Sequence, residues 1–100
     1  MSWKRDIGHK LRELRLVLCQ TSENSLGARN FIKQNYPGVI EHHPDFLFIV
    51  RECANAHPTV MARYDYGVER RIPVDYLPAE EIEGVVEQLV RDADVVNKHL

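Results

Sequence analysis

The fold of this chain is decided by Leu14-Arg15-Leu16-Val17-Leu18-Cys19 and by Phe46-Leu47-Phe48-Ile49-Val50-Arg51-Glu52-Cys53, two apolar runs that each end in a cysteine. The first run alternates with a period close to two, which predicts a half-covered strand from about Leu11 to Cys19. The second run is apolar at every position from Phe46 to Val50. Such a run is typical of a strand that is covered on both faces and lies in the centre of a sheet.

The segment between the two runs predicts a helix. Ser25 follows a polar loop and can cap the helix, and Pro37-Gly38 predicts its end. Its apolar residues recur at helical spacing: Ala28, Phe31, Ile32 and Tyr36. A strand, a helix and a second strand in this order predict a parallel crossover, which places Cys19 and Cys53 at one sheet edge. Open α/β sheets place their chemistry at this edge, outside the carboxyl ends of the strands.

The second half of the chain predicts a hairpin and a closing helix. Apolar and polar residues alternate from Thr59 to Tyr66, and Gly67 permits a turn into a further strand over 69–74. Pro73 has no amide hydrogen, so this last strand is expected at a sheet edge. Behind Pro78, apolar residues repeat at helical spacing as far as Ala93.

Length and composition predict one domain over residues 1–100. One hundred residues with 44% apolar content can bury one modest core, predicted to span about 11–93. Residues 1–10 show no useful apolar periodicity and predict a loose N-terminal arm, and residues 94–100 predict a C-terminal tail that frays.

The charge balance excludes some classes of partner. The chain has 15 acidic and 13 basic side chains, a net charge of -2, and so lacks the basic excess that nucleic-acid binding requires. No apolar stretch approaches the roughly 20 residues of a membrane span. We therefore expect a soluble, intracellular protein with no nucleic-acid partner and no direct membrane insertion.

The cysteines leave three uses open, of which the first is catalysis. Cys19-Gln20-Thr21-Ser22 has the spacing of a monothiol redox site. A reactive thiolate needs a helix amino terminus or a cation beside it. The predicted helix begins only near Ser25, and Glu23 adds negative charge, so we expect an environment that disfavours the thiolate.

The second use is metal binding, and the third is a crosslink. Cys19, Cys53 and His57 can converge at the sheet edge, with His42-His43 near in sequence, but the paired spacings of strong zinc sites are missing, so we predict no metal site. Neighbouring strands lie about 4.8 Å apart, a separation compatible with a disulfide. Cys19 and Cys53 are therefore expected to be able to crosslink.

The order strand, helix, strand, strand, strand, helix is that of a minimal thioredoxin-like fold, an α/β fold with a mixed four-stranded sheet and helices packed on it. Thioredoxin-like proteins carry a proline, often cis, directly before the third strand. Pro58 in His57-Pro58-Thr59 stands at that place and is a candidate for a cis peptide bond. An ordinary trans proline that starts a strand is the alternative.

The chain resembles a thioredoxin-fold family that includes a small accessory subunit of mitochondrial complex I (NADH:ubiquinone oxidoreductase) and certain mitochondrial ribosomal proteins. The resemblance spans about Leu11 to Arg91. Its most specific motifs are Cys19-Gln20, Arg51-Glu52-Cys53 and Ala62-Arg63-Tyr64, and it also includes Ser25, Gly27, Arg29, Phe31, Ile32, Pro44-Asp45, Pro58, Gly67 and Pro73-Val74. The acidic balance favours the respiratory branch over the ribosomal one, which is expected to be basic.

This resemblance implies a noncatalytic subunit in the matrix arm of complex I that supports assembly or stability of the NADH-oxidising module. It implies docking near the large iron-sulfur subunit, a peripheral position on the matrix side of the mitochondrial inner membrane, and no flavin, cluster or other cofactor. A disulfide between Cys19 and Cys53 is plausible in the family; in a reducing compartment we expect it to be accessible and not obligatory. The alternative function is a free thioredoxin- or glutaredoxin-like thiol oxidoreductase that uses Cys19.

Overall fold

The computed structural model describes residues 3–99 and contains each predicted strand and helix. The strands are β1 (Glu13–Leu18), β2 (Leu47–Glu52), β3 (Thr59–Arg63) and β4 (Glu69–Pro73). The helices are α1 (Trp3–Lys10), α2 (Leu26–His42) and α3 (Ala79–Val96), and short 3-10 turns cover Glu23–Ser25, Asp65–Gly67 and Asn97–His99.

The strands form one mixed sheet in the order β2-β1-β3-β4. β1 and β2 are parallel, with Leu14 opposite Phe48 and Leu16 opposite Val50. β3 is antiparallel to both β1 and β4. The predicted α/β class and mixed four-stranded sheet are confirmed, and the elements after α1 follow the order expected of a thioredoxin-like domain.

The core lies between one face of this sheet and the helices. Every second residue of β1 points to this face. These residues are Leu14, Leu16 and Leu18, and each is at most 1% exposed. They belong to one apolar cluster with residues from all the helices, among them Ile7, Phe31, Val39, Ile82 and Leu89. The alternate residues of the strands lie on the opposite face and are absent from this cluster.

The prediction of a loose N-terminal arm is wrong for residues 3–10. They form α1, in which Trp3 is 5% exposed and Ile7 is fully buried. The Trp3 ring stacks on Phe31 with 6.1 Å between centroids, and its Nε1 donates to Glu83 Oε2 over 2.9 Å. Trp3 and Ile7 are four residues apart, a helical spacing too short to register as periodicity in a segment of this length. Met1 and Ser2 lie outside the described residues.

The prediction of a fraying tail is wrong for its first residues. α3 continues to Val96, and Asp94 pairs with Lys10 of α1 over 2.5 Å. This pairing holds the pKa of the Asp94 carboxyl below its usual value. Because Lys10 comes from the segment predicted to be loose, this ion pair joins α1 to the end of α3. Leu100 lies outside the described residues.

The prediction that α2 ends at Pro37-Gly38 is also wrong, because the helix continues through Pro37 to His42. An interior proline loses one helix hydrogen bond and costs about 3 kcal/mol. Val39, two residues further on, is fully buried, and burial of a valine side chain contributes roughly 1.5–3 kcal/mol. Core burial beyond the proline thus offsets its local cost.

β2 is an edge strand and not the central strand that its apolar run predicts. Only Phe48 of β2 is buried, and Leu47 is 54% exposed. The uninterrupted run indicates two covered faces, but within residues 3–99 the helices cover only one of them. Apolar surface is therefore left open along β2. The edge position predicted for the proline-containing strand is confirmed, since β4 is the opposite edge and ends at Pro73.

Pro58 directly precedes β3, as predicted, but its peptide bond with His57 is trans. The trans form is the favoured state of most X-Pro bonds, and the position needs only the extended conformation that a proline at a strand entry supplies. The candidate cis bond at Pro58 is thus not present. Of the helices within residues 3–99, none combines the length and the apolar character needed to cross a membrane.

Candidate functional site: the thiol edge of the sheet

The carboxyl ends of β1 and β2 bring Cys19 and Cys53 to one edge of the sheet, as the crossover predicts. The Cys53 amide donates a hydrogen bond to the Leu18 carbonyl over 2.9 Å, which fixes the two segments side by side. Both cysteines line a cavity of about 340 Å³ together with Gln20, Thr21, Glu52 and Ala54. Both are free thiols, and the Cys19–Cys53 disulfide stays a prediction.

The two thiols differ in accessibility. Cys19 is 4% exposed, whereas Cys53 lies on the surface. The Cys19 Sγ lies 3.7 Å from the Thr21 hydroxyl, inside the turn that follows β1. A solvent oxidant or an alkylating reagent therefore meets Cys53 first.

The prediction that the surroundings of Cys19 disfavour its thiolate is wrong. The nearby Ser22 hydroxyl and the backbone amides of Thr21, Ser22 and Asn55 lower the pKa of Cys19 from 9.0 to about 6, against the opposing effect of burial. These donors act on the thiolate as a helix amino terminus does, although α2 begins only at Leu26. Asn55 reaches the site because the chain turns back after β2, with a φ of 61° at this residue.

The loop between β1 and α2 is held in place by two residues at the start of α2. The predicted helix cap, Ser25, is the residue before α2, but its hydroxyl accepts a hydrogen bond from the Cys19 amide over 3.0 Å and makes no capping bond. The Arg29 guanidinium donates to the carbonyls of Cys19 and Ser22, each over 2.9 Å. The family motif includes both residues, yet the sequence pattern alone gives no sign of what Arg29 contacts.

The histidines proposed as alternative metal ligands have other partners. His57 Nδ1 lies 2.8 Å from Asp75 Oδ2, and His43 Nε2 lies 2.7 Å from the Arg5 carbonyl. His42 is next to His43 at the end of α2, away from the cavity that the cysteines line. Within residues 3–99, no three of the His, Cys, Asp and Glu side chains are grouped so that they hold a metal ion.

The site can therefore form a disulfide between Cys19 and Cys53 when an external oxidant takes up two electrons and the two thiol protons are released. A thiol with a pKa near 6 is mostly ionised at neutral pH, and a second thiol lies across the same cavity. The two sulfurs come from different strands, unlike the two sulfurs of a Cys-x-x-Cys motif, which share one turn. This arrangement suits a structural or redox-sensitive crosslink better than rapid turnover, because Cys19 is nearly inaccessible to a protein substrate.

Residues 28–79, which include most of α2 and all of β2, β3 and β4, match the family described as the mitochondrial ribosomal protein L51 / S25 / CI-B8 domain. The chain belongs to this family. Among curated proteins, it is 37% identical over 91 residues to NADH dehydrogenase [ubiquinone] 1 alpha subcomplex subunit 2 of Arabidopsis thaliana, covering 91% of this chain and 94% of the relative.

Two further relatives come from an animal and a fungus. The Mus musculus protein of the same name is 36% identical over 88 residues, which cover 86% of this chain and 89% of the relative. The NADH-ubiquinone oxidoreductase 10.5 kDa subunit of Neurospora crassa is 32% identical over 92 residues, which cover 92% of this chain and 98% of the relative. This member of the L51 / S25 / CI-B8 domain family is thus similar to these relatives over nearly its whole length.

Proposed function

We propose that this protein is a noncatalytic accessory subunit of mitochondrial respiratory complex I. In this proposal it lies in the matrix arm, beside the large iron-sulfur subunit, and supports assembly or stability of the NADH-oxidising module. It is a peripheral protein on the matrix side of the inner membrane and takes no cofactor of its own.

The observation that carries the proposal is the near full-length similarity to three proteins whose names describe subunits of an NADH–ubiquinone oxidoreductase. The family also includes mitochondrial ribosomal proteins by its description. The net charge of -2 favours the respiratory relatives over an RNA-bound role, since phosphate binding requires a basic excess.

Two features of the thiol edge support a structural role over catalysis. Cys19 is 4% exposed, so a disulfide of a protein substrate cannot approach it in line without movement of the surrounding loop. The Cys19 amide, its carbonyl and the loop that follows are fixed by Ser25 and Arg29. A loop that is held by hydrogen bonds around a buried thiol favours a structural role for this thiol over a catalytic one.

The experiment is native electrophoresis of mitochondrial membranes that carry an affinity-tagged copy, solubilised in mild detergent. We expect the tagged protein to migrate with the band that oxidises NADH in the gel. Migration only as a small free protein would overturn the proposal.

The pKa of Cys19 near 6 favours one alternative, a free thiol oxidoreductase that uses this residue. The test is turnover of insulin or of a glutathione-mixed disulfide by the purified protein, with Cys19→Ser as the control. We expect no turnover above that of the Cys19→Ser variant. Catalysis that this substitution abolishes would establish the alternative.

A further inference from the structure

The sheet has one face that no helix covers within residues 3–99. The core face carries the apolar cluster, but none of the opposite side chains belongs to it. The register places these side chains in three rows across the sheet, namely Leu47-Glu13-Arg63-Glu69, Ile49-Arg15-Met61-Arg71 and Arg51-Val17-Thr59-Pro73. We call this surface the open face.

A network of ion pairs organises the open face. Glu13, whose side chain is 4% exposed, lies 2.9 Å from Arg15 and 3.5 Å from Arg63. Glu69 continues the network at 3.6 Å from Arg63 and 3.4 Å from Arg71. The carboxylates hold the three guanidinium groups in defined positions across the sheet, so these arginines lose little further side-chain freedom when they bind a partner.

The charge of this face is opposite in sign to that of the whole chain. Its four arginines (Arg15, Arg51, Arg63 and Arg71) and two glutamates (Glu13 and Glu69) give it a net charge of +2, against -2 for the whole chain. The rest of the protein is therefore acidic. A basic face on an otherwise acidic protein is attracted to an acidic partner while the rest of the surface is repelled. The protein therefore approaches such a partner with this face first.

The arginines of this network remain accessible to a partner. Their Nε atoms are buried together with Glu13 Oε2, but the side chains of Arg15 and Arg63 are 31% and 40% exposed. Guanidinium groups bind carboxylates through two parallel hydrogen bonds.

Apolar surface adjoins the arginines. Leu47 is 54% exposed at the β2 edge, with Ile49 half-buried on the same strand. Arg15, Val17, Thr59, Met61 and Arg71 line a hollow of about 220 Å³. Met61 is 4% exposed at this hollow, although it is not part of the core cluster. Arginine beside apolar side chains is the composition that protein interfaces favour.

We propose that the open face is the surface through which this subunit docks on its neighbour in the respiratory complex, and that the matching surface carries carboxylates around an apolar centre. The inference rests on the proposed function and adds the face and the chemistry of the contact. A second copy of this chain is a poor occupant, since face-to-face pairing sets arginines against arginines at a cost in like-charge repulsion.

The test reverses charge on the open face in the complete protein. Arg51 and Arg71 are both exposed there, and R51E/R71E is compared with R5E/R91E, which reverses two exposed arginines on helices α1 and α3. We expect R51E/R71E to reduce the amount of tagged protein that co-migrates with the NADH-oxidising complex by about tenfold or more, because like charges then face each other. We expect R5E/R91E to co-migrate as the wild type does.

The outcomes separate this inference from the proposed function. If the wild type does not co-migrate with the complex, the proposed function fails. If the wild type and R51E/R71E co-migrate equally, or if R5E/R91E is lost equally, the docking face is wrong and the proposed function stands. Binding of purified wild type to vesicles with anionic headgroups, or dimerisation of the wild type that R51E/R71E abolishes, would overturn the choice of an acidic protein partner.

A second pair of variants applies if R51E/R71E melts below the wild type. Leu47 on the open face and Leu26 on α2 are almost equally exposed, at 54% and 52%. We expect Leu47→Glu to lose co-migration and Leu26→Glu to retain it. The reverse pattern would contradict the proposal.

Discussion

The two faces of the sheet differ in what they are built from, although they alternate residue by residue along the same strands. On the helix-covered face, Leu14 and Leu16 are buried among apolar side chains. On the open face, Glu13 forms ion pairs with Arg15 and Arg63. The covered face forms the apolar core and the open face carries paired charges, a division that follows from the two-residue period of the strands.

The largest expected effect tests whether α1 belongs to the covered face. Trp3→Ala removes the stacking on Phe31 and the hydrogen bond to Glu83, and we expect a loss of about 3–5 kcal/mol in the free energy of unfolding. The measurement is chemical denaturation of the purified variant. The exposed Arg5 on the same helix provides the control, since Arg5→Ala is expected to change stability by about 0.5 kcal/mol or less. Equal stability of Trp3→Ala and the wild type would show that residues 3–10 form a loose arm and do not pack on the core.

The next prediction compares the two faces through neighbouring residues of β1. Leu16 is 1% exposed on the covered face, and Leu16→Ala should cost about 2–5 kcal/mol. Val17 is half-buried on the open face, and Val17→Ala should cost about 1 kcal/mol or less in the isolated protein. Thermal melting distinguishes the two, since 1 kcal/mol shifts the midpoint by about 4–8 °C in a domain of this size. Similar costs for the two variants would mean that both faces are covered.

The sequence predicts much of this architecture because the deciding signals are local. Alternation in Leu14, Leu16 and Leu18, and the turn at Gly67 with its φ of 78°, depend on nearest neighbours. The same local information leads to errors where packing decides. Pro37 predicts a helix end but lies inside α2, and the apolar run of β2 predicts a central strand but forms an edge.

The site is predicted less completely, because it is assembled from distant residues. The crossover predicts that Cys19 and Cys53 meet, but the low pKa of Cys19 depends partly on Asn55, which follows a different strand. Arg63 is easily taken for a solvated strand residue, since its ion pairs with Glu13 and Glu69 follow only from strand register. A one-residue shift in register would separate Arg63 from both glutamates.

A smaller effect is expected from removing one charge from the open-face network. Glu13→Gln keeps the shape of the side chain but takes away the carboxylate between Arg15 and Arg63. Because the arginine side chains are 31% and 40% exposed, solvent screens them, and we expect a cost of about 1 kcal/mol. Glu69→Gln, at a 34% exposed carboxylate, should change the unfolding free energy by about 0.5 kcal/mol or less. A more stable Glu13→Gln variant would show that the network opposes folding.

A further prediction concerns the thiol edge and depends on pH. The folded pKa of Cys19 is about 6, below its ordinary value of 9.0, so the ionised thiol stabilises the fold at high pH and this contribution is lost as pH falls through about 6. The stability difference between wild type and Cys19→Ser should therefore grow from pH 6 to pH 9. Ser22→Ala removes the largest contribution to the shift and should flatten that dependence. Parallel melting curves for wild type and Cys19→Ser across this range would contradict the lowered pKa.

The same edge also tests the predicted crosslink. Mild oxidation followed by alkylation and mass spectrometry should yield a Cys19–Cys53 disulfide, since both thiols line one cavity. Closing a loop of this length stabilises a domain by roughly 3–4 kcal/mol in the chain-entropy model. Two thiols that remain alkylatable after oxidation would rule the bridge out.

The difference between the two faces is tested most directly by a density map of the intact respiratory complex purified through a tag on this subunit. The account predicts that the open face, with Arg15, Arg63 and Arg71, is buried against acidic side chains of a neighbouring subunit, while the outer surfaces of α2 and α3 face solvent. A map in which those helices form the contact and the open face lies in solvent would contradict it.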